Sequence, residues 1–465
     1  MITDQEFTPF LEDPVQVEHR ANERPAPWFV LALAVLVLLG VALRIAYAVV
    51  WENGTTLVGD PQFFQQTAAS LSHGYGYAVD VPGTRQPAPT ALHPPMFPIV
   101  LALLDLVRLQ SAEAHRIALA FISAVSVVAM GLLGRRLMGP GVGLVAATFA
   151  AFSPLWVQWG GRLLSESLYL VVIPVLLWVA LKCVDRPSWW SFGVTGVVIG
   201  VATLTRSEAL AFVVVLGVPL VLLGSRNWRK RATYAMAVVA GVAIIVGPWL
   251  IRNDIQLGGL TLSTDNGTTW AGAYTPATFS PANPLYGSFD NASQYADTYI
   301  FLTWGKPPGD AKAWTELSLE NAVGQAGMTF ARSHLSDLPG VVLAREGRLW
   351  GVYAIGSQLQ YDTEEGGQVR GFFVAGQIVE WILIPLAIAG GIGLGRHTRR
   401  RVVVIVAPMV VAALNAAAFY GTTRLRVAAE PSLFLLASIA LVSAFHWVRR
   451  LPLRVTGKTS SSELM

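Results

Sequence analysis

Three carboxylates, Asp60, Glu166 and Glu208, and five arginines, Arg162, Arg206, Arg252, Arg424 and Arg426, stand close to the ends of long apolar runs. A positioned carboxylate can take a proton from a hydroxyl, and arginines grip phosphate through planar two-point contacts. Asp60 and Glu166, if the fold brings them together, can also offer oxygen ligands to a divalent cation. Ionisable groups at membrane depth are costly, so each is a functional candidate by default. Plainer readings exist for several. Asp60 before Pro61 makes a good helix N-cap. Glu166 after Ser165 and Glu208 after Ser207 could complement a helix dipole in a first turn, and Arg206 could do the same at a helix C-terminus. The residues by themselves leave both readings open.

The elements that must position these groups are membrane helices. Of the 465 residues, 53% are hydrophobic and only 13% charged, against about 25% charged in soluble domains. The net charge of +4 is modest, and its basic residues sit in short clusters between apolar runs. That pattern sets membrane topology and does not indicate nucleic-acid binding. The single cysteine, Cys183, excludes an intrachain disulfide framework and a cysteine-based metal site. The polar ends, residues 1–27 and 449–465, read as short disordered cytoplasmic tails.

Apolar runs cover 28–50, 93–109, 115–137, 141–159, 168–184, 190–204, 209–223, 233–251, 372–394, 402–420 and 427–448. Lys/Arg clusters belong in the cytoplasm. Those at Arg135/Arg136, Lys182/Arg186, 226–231, 396–401 and 446–454 all face one side only if one early run fails to cross. "HPPMFPIVLALLDLVRL" is short, proline-rich and carries Asp105 and Arg108, so it is predicted to embed in the outer face. Ten spans remain, with both termini inside. The short outer loops then fall at 162–166, 206–208 and 422–426, and two long outer segments at 51–116 and 252–371. The resulting divisions are a module over 28–251 that includes outer loop 51–116, an extracytoplasmic cap over 252–371, and C-terminal helices over 372–448.

Within the first outer loop, "LVGDPQFFQQTAASLSHGYGY" predicts a two-faced helix lying on the membrane. Asp60 heads it, Pro61 suits its first turn and Gly74 its stop; Phe63, Phe64, Thr67, Ala68 and Leu71 share one side. In the second long segment, "LPGVVLAREGRLWGVY" predicts a helix touching the bilayer through Val341, Val342, Leu349, Trp350 and Val352, with Arg345 and Arg348 near headgroups. Arg44, near the outer end of the first span, is expected to snorkel or to pair with an acid.

Taken in order, "GDPQFFQQTAASLSHGYGY", "HPPMFPIVLALL", "SPLWVQWGGRLLSESLYL", "LTRSEAL", "GPWLIRND" and "GTTRLRVAAEPSLFLLAS" resemble the GT-C superfamily of integral-membrane glycosyltransferases. The likeness is to the branch of protein O-mannosyltransferases and lipid A aminoarabinose transferases. It implies a bundle of about ten transmembrane helices with membrane-parallel helices in the first outer loop. It also implies an enzyme that moves a sugar from a polyprenyl-phosphate carrier to a hydroxyl on a glycan, lipid or protein at the outer face. The absence of an N-terminal signal and the compact size point to a bacterial plasma membrane. Asp60 matches the family's catalytic aspartate, Glu166 its second acid, and Arg206 the basic residue on the carrier phosphate. Arg252 and Arg424 stand behind Arg206 in that role, while His93, Arg162, Glu208 and Arg426 are acceptor-side or supporting candidates. Many relatives have Glu directly after the aspartate where this chain has Pro61, and the aromatic pattern of a protein mannosyltransferase is absent.

The implied chemistry needs one carboxylate, Asp60, as general base for the acceptor, with attack from the face opposite the leaving phosphate. Glu166 would orient the acceptor, hold Asp60, or share a divalent cation with it. Two other classes fit the same composition: a transporter or flippase of lipid-linked sugars, and a non-catalytic envelope scaffold.

Overall fold

The computed structural model describes residues 25–80, 86–290, 315–364, 367–397 and 399–450; the expected terminal tails lie almost wholly outside them. The first span, α1 (Pro27–Val50), starts on a proline whose missing N–H costs nothing at that position. Its Arg44 neither snorkels nor meets an acid. The guanidinium is fully buried and donates to the carbonyls of Gly40 (3.0 Å) and Ala150 (2.8 Å).

The predicted interfacial helix is α2 (Asp60–Ser72), which buries Phe63, Phe64, Thr67 and Ala68 as expected, with Ser70 in addition. It packs against α3 (Met96–Leu106). At 11 residues α3 is about 16 Å long, too short to cross a bilayer, as its prolines and charges suggest.

Then follow α4 (Ala112–Met138), α5 (Pro140–Phe152), α6 (Pro154–Gly160), α7 (Glu166–Asp185) and α8 (Trp189–Thr205). The third expected span is the pair α5 and α6, bent by 61° where Ser153 precedes Pro154. The sixth runs from the 3-10 turn Ser207–Ala211 through a π-helical turn, Val213–Gly217, into α9 (Val218–Gly224). The seventh is α10 (Trp228–Leu257). Helices α8 and α10 pack closely because a Cβ at Gly196 would sit 2.2 Å from the Val238 carbonyl oxygen, and one at Gly241 would sit 2.4 Å from that of Gly193. Small residues are what permit such backbone approach inside a membrane.

The cap contributes α11 (Asn266–Ala273), α12 (Glu316–Ser333), α13 (Leu338–Leu349) and α14 (Ile355–Glu364). The chain returns through α15 (Arg370–His397), α16 (Arg399–Ala418), a 3-10 turn at Thr423–Ala428, and α17 (Glu430–Arg450). Among the described residues, 8 helices are long and apolar enough to span, or 9 with the bent pair. Trp189–Thr205, expected as the remaining span, is the shorter apolar helix α8. The chain is therefore an all-α integral membrane protein.

The expected bilayer contacts of α13 are corrected. Val341, Arg345, Arg348 and Leu349 are buried, and the arginines are spent on carbonyls. Arg345 donates to Ala273 and Ala417 (both 2.8 Å) and Arg348 to Tyr286 (2.8 Å). The helix thereby stitches the cap to α16 instead of resting on lipid; Val352 beyond its end stays exposed.

One end of the bundle gathers basic clusters: Arg136 on α4 and Arg401 on α16 share Asp185 of α7, at 2.7 and 3.2 Å. The candidate residues gather at the other ends of these helices.

Candidate active site

Asp60 does not cap its helix. The N-cap is Gly59, at φ 62° and ψ −134°, a conformation in which a side chain is strained. That turn makes Asp60 the first helical residue and frees its carboxylate to point elsewhere. Oδ1 lies 3.3 Å from His93 Nε2, and Oδ2 accepts from Arg424 Nη2 at 2.6 Å. The His93 ring is held by α2 itself, edge-on to Phe63 (5.0 Å between centroids) and tilted against Phe64 (5.2 Å).

Glu166, the first residue of α7, is fully buried. It accepts from Arg206 Nη1 at 2.5 Å and from Arg424 Nε. Arg206 ends α8 with extended backbone, φ −149° and ψ 122°, and its Nε donates to Glu208. The 3-10 turn carrying Arg424 is fixed from below. Thr422 caps it by accepting from the Arg424 backbone N–H at 3.4 Å, and the Thr423 hydroxyl donates to Asp362 Oδ2 at 2.9 Å.

Four remote segments thus deliver Asp60, His93, Glu166, Arg206, Glu208 and Arg424 to one cluster. All but the fully buried Glu166 line a cavity of about 2190 Å³ between the bundle and the cap. Arg162 lines the same cavity and contacts Glu52 at 3.1 Å, as does Arg116 at 3.3 Å. Arg252 and Arg426 do not line it. Arg252 donates to the carbonyls of Tyr77 (2.5 Å) and Thr90 (2.7 Å), which pins the first outer loop to α10. Arg426 is buried and donates to the Leu349 carbonyl and Gln377, with Glu380 3.5 Å away.

Charge explains the titration behaviour. Burial pushes the Asp60 carboxyl upward, but Arg424 and then His93 outweigh it and hold it well below the usual range. Burial also disfavours the His93 cation, yet Asp60, with Asp265 further off, raises its pKa. On the cap wall, burial pushes Asp265 up to about 6 and Glu320 up to about 7. Glu320 accepts from the Thr268 backbone N–H (2.9 Å) and hydroxyl (3.0 Å), and so ties α12 to α11.

These cap acids, with Glu316, Glu52 and Asp362, were not anticipated. Glu316 and Glu320 lie on α12 and Asp362 on α14, but helical period does not tell which acids of a long outer loop turn into a cavity.

The pair proposed for a divalent cation, Asp60 and Glu166, already shares a cation, the Arg424 guanidinium. Among the described residues no cluster of three or more His, Cys, Asp or Glu could hold a metal. In this arrangement both carboxylates are engaged by that guanidinium.

Residues 92–251 match a family model described as dolichyl-phosphate-mannose-protein mannosyltransferase. That stretch holds His93, Arg162, Glu166, Arg206 and Glu208 but not Asp60 or Arg424. No curated protein matches the chain. Among solved structures, the Archaeoglobus fulgidus oligosaccharyltransferase complexed with Zn and sulfate is similar, at TM-score 0.51 and 15% identity, over 90% of this chain and 49% of that one. The oligosaccharyltransferase AglB of the same organism, in complex with an inhibitory peptide and a dolichol-phosphate, gives 0.49 and 13% over 94% and 53%. ArnT from Cupriavidus metallidurans bound to undecaprenyl phosphate gives 0.40 and 14% over 91% and 78%. The chain spans about half the length of the archaeal proteins it resembles. At such identities the likeness to the archaeal oligosaccharyltransferase is one of fold alone.

Proposed function

We propose that this protein is an inverting membrane glycosyltransferase, moving a sugar from a polyprenyl-phosphate carrier to a hydroxyl acceptor. The observation that carries the reading is the convergence of a carboxylate, Asp60, with two arginines, Arg206 and Arg424, in one cavity at the membrane end opposite the Arg136–Asp185–Arg401 cluster. By the positive-inside rule that end is extracytoplasmic.

Asp60 takes the proton of the acceptor hydroxyl as the oxygen bonds to the anomeric carbon. The bond from that carbon to phosphate breaks, its electron pair leaves on the phosphate oxygen, and attack from the opposite face inverts the centre. Arg206 and Arg424 hold the phosphate and offset the charge that grows on it. No step is routed through a metal. Glu166, buried behind both guanidiniums, positions them, while His93 fixes the orientation of Asp60. The match to a mannosyltransferase model over 92–251 supports the lipid-phosphate donor class. The cavity of about 2190 Å³ has room for a sugar and an acceptor group together.

The test is transfer in proteoliposomes from a panel of radiolabelled polyprenyl-phosphate sugars. Release of carrier phosphate with label in an acceptor supports the enzyme. Binding or translocation of every donor without release of carrier phosphate supports a transporter instead.

A further inference from the structure

Both guanidiniums of the cluster are already engaged by carboxylates. Arg206 serves Glu166 and Glu208, and Arg424 serves Glu166 and Asp60, so a phosphate gripped through both outer nitrogens of Arg424 competes with Asp60 for Nη2. The two halves of Arg424 are not equal in this exchange. Its Nε is anchored on Glu166, whose side chain is 0% exposed. Its Nη2 reaches Asp60 in a pair that is 31% and 29% exposed to the cavity. Nη2 touches Glu166 only at 3.5 Å, and Nη1 has no partner among the described residues. The guanidinium therefore has a fixed inner edge and an exchangeable outer one.

We propose that Arg424 is a substrate-operated clamp: it holds Asp60 out of action until the donor phosphate draws the outer guanidinium edge away. This rests on the reading that the carrier phosphate binds beside Arg206 and Arg424. While Arg424 and His93 both lean on Asp60, the carboxylate is a weak base, in keeping with its depressed pKa. Phosphate on Nη1 and Nη2 removes the nearer cation, and Asp60 regains the proton affinity that an acceptor hydroxyl requires. Nε stays on Glu166, so the arginine does not have to find a new seat. The acceptor is thus activated only when a carrier phosphate occupies the site, and carrier binding precedes acceptor deprotonation.

The probe is undecaprenyl phosphate, without sugar, added to the purified protein in nanodiscs. Infrared difference spectra follow the protonated-carboxyl band that is missing in Asp60→Asn. The expected result is a protonation midpoint for Asp60 that rises by about one pH unit or more when the lipid binds, which is tenfold or more in proton affinity. In Arg424→Gln the midpoint is already high, and in Arg424→Lys, offered in case the first variant folds poorly, it lies between the two.

A density map with the lipid bound supplies the second measurement, because a phosphate field alone would also raise the midpoint. Arg424 must have left Asp60 while keeping Glu166. Phosphate seated beside an intact Arg424–Asp60 contact, or a midpoint that does not move, overturns the clamp and leaves the donor reading standing. Failure of radiolabelled undecaprenyl phosphate to bind at all overturns the donor reading, and the clamp with it.

Discussion

Asp60 and Arg424, 364 positions apart in the chain, meet at 2.6 Å in the cavity. The contact joins the first outer loop to the last one, and it separates two roles that the sequence cannot distinguish. Asp60 is neither an N-cap nor a solvated surface acid; it is an ionised carboxylate held by a guanidinium and an imidazole. The following expectations derive from that arrangement.

Asp60→Asn should fold as the parent does, since Gly59 and not Asp60 occupies the cap position. Transfer should fall by a factor of about 10²–10⁴, the usual contribution of a general base. Comparing melting temperature with turnover in proteoliposomes tests both halves. Near-normal turnover removes Asp60 from the chemistry.

Gly59→Ala places a Cβ on backbone at φ 62° and ψ −134°. The strain should cost about 1–3 kcal/mol. Relief of that strain would rotate the start of α2, so turnover should drop further than stability does. A variant that melts and turns over like the parent would show that this turn does not aim Asp60.

Glu166→Gln leaves two arginines facing a neutral amide in a fully buried position. Arg206 keeps Glu208 and Arg424 keeps Asp60, so the loss should fall below the figure of about 3–5 kcal/mol for a stranded buried charge. Denaturation in mild detergent measures it. Stability within error of the parent would mean that Glu166 is not the anchor of the arginine pair.

Docking of the cap should depend on pH through Glu320, whose pKa is raised to about 7 by burial. A raised carboxyl is favoured neutral in the folded state. Its contribution is complete below the ordinary carboxyl range and is lost as pH climbs through about 7. Amide exchange in α11 and α12, corrected for intrinsic rate, should therefore be more protected at pH 5 than at pH 8. Glu320→Gln should flatten the difference. Equal protection of the parent protein at both values would contradict this.

Much of the architecture was legible in the chain. The apolar runs located the long helices, and the prolines and charges of 93–109 marked one of the two shorter apolar helices. The buried face of α2 followed from 3.6-residue periodicity. Hydropathy and helical period are properties of consecutive residues, which is why a sequence displays them.

Several side chains behaved otherwise. Arg44, Arg345 and Arg348 were expected near lipid or acids but are buried against backbone carbonyls. Arg252, named as a phosphate ligand, is taken up by the carbonyls of Tyr77 and Thr90. An arginine at a span end has the same local context whether it faces lipid, backbone or a ligand.

The sequence by itself thus determined the membrane class and most of the helices, since composition and hydropathy act locally along the chain. Only the tertiary structure decided which acid meets which arginine. That choice depends on distances between segments hundreds of residues apart, set by how the helices pack and by a single glycine turn before Asp60.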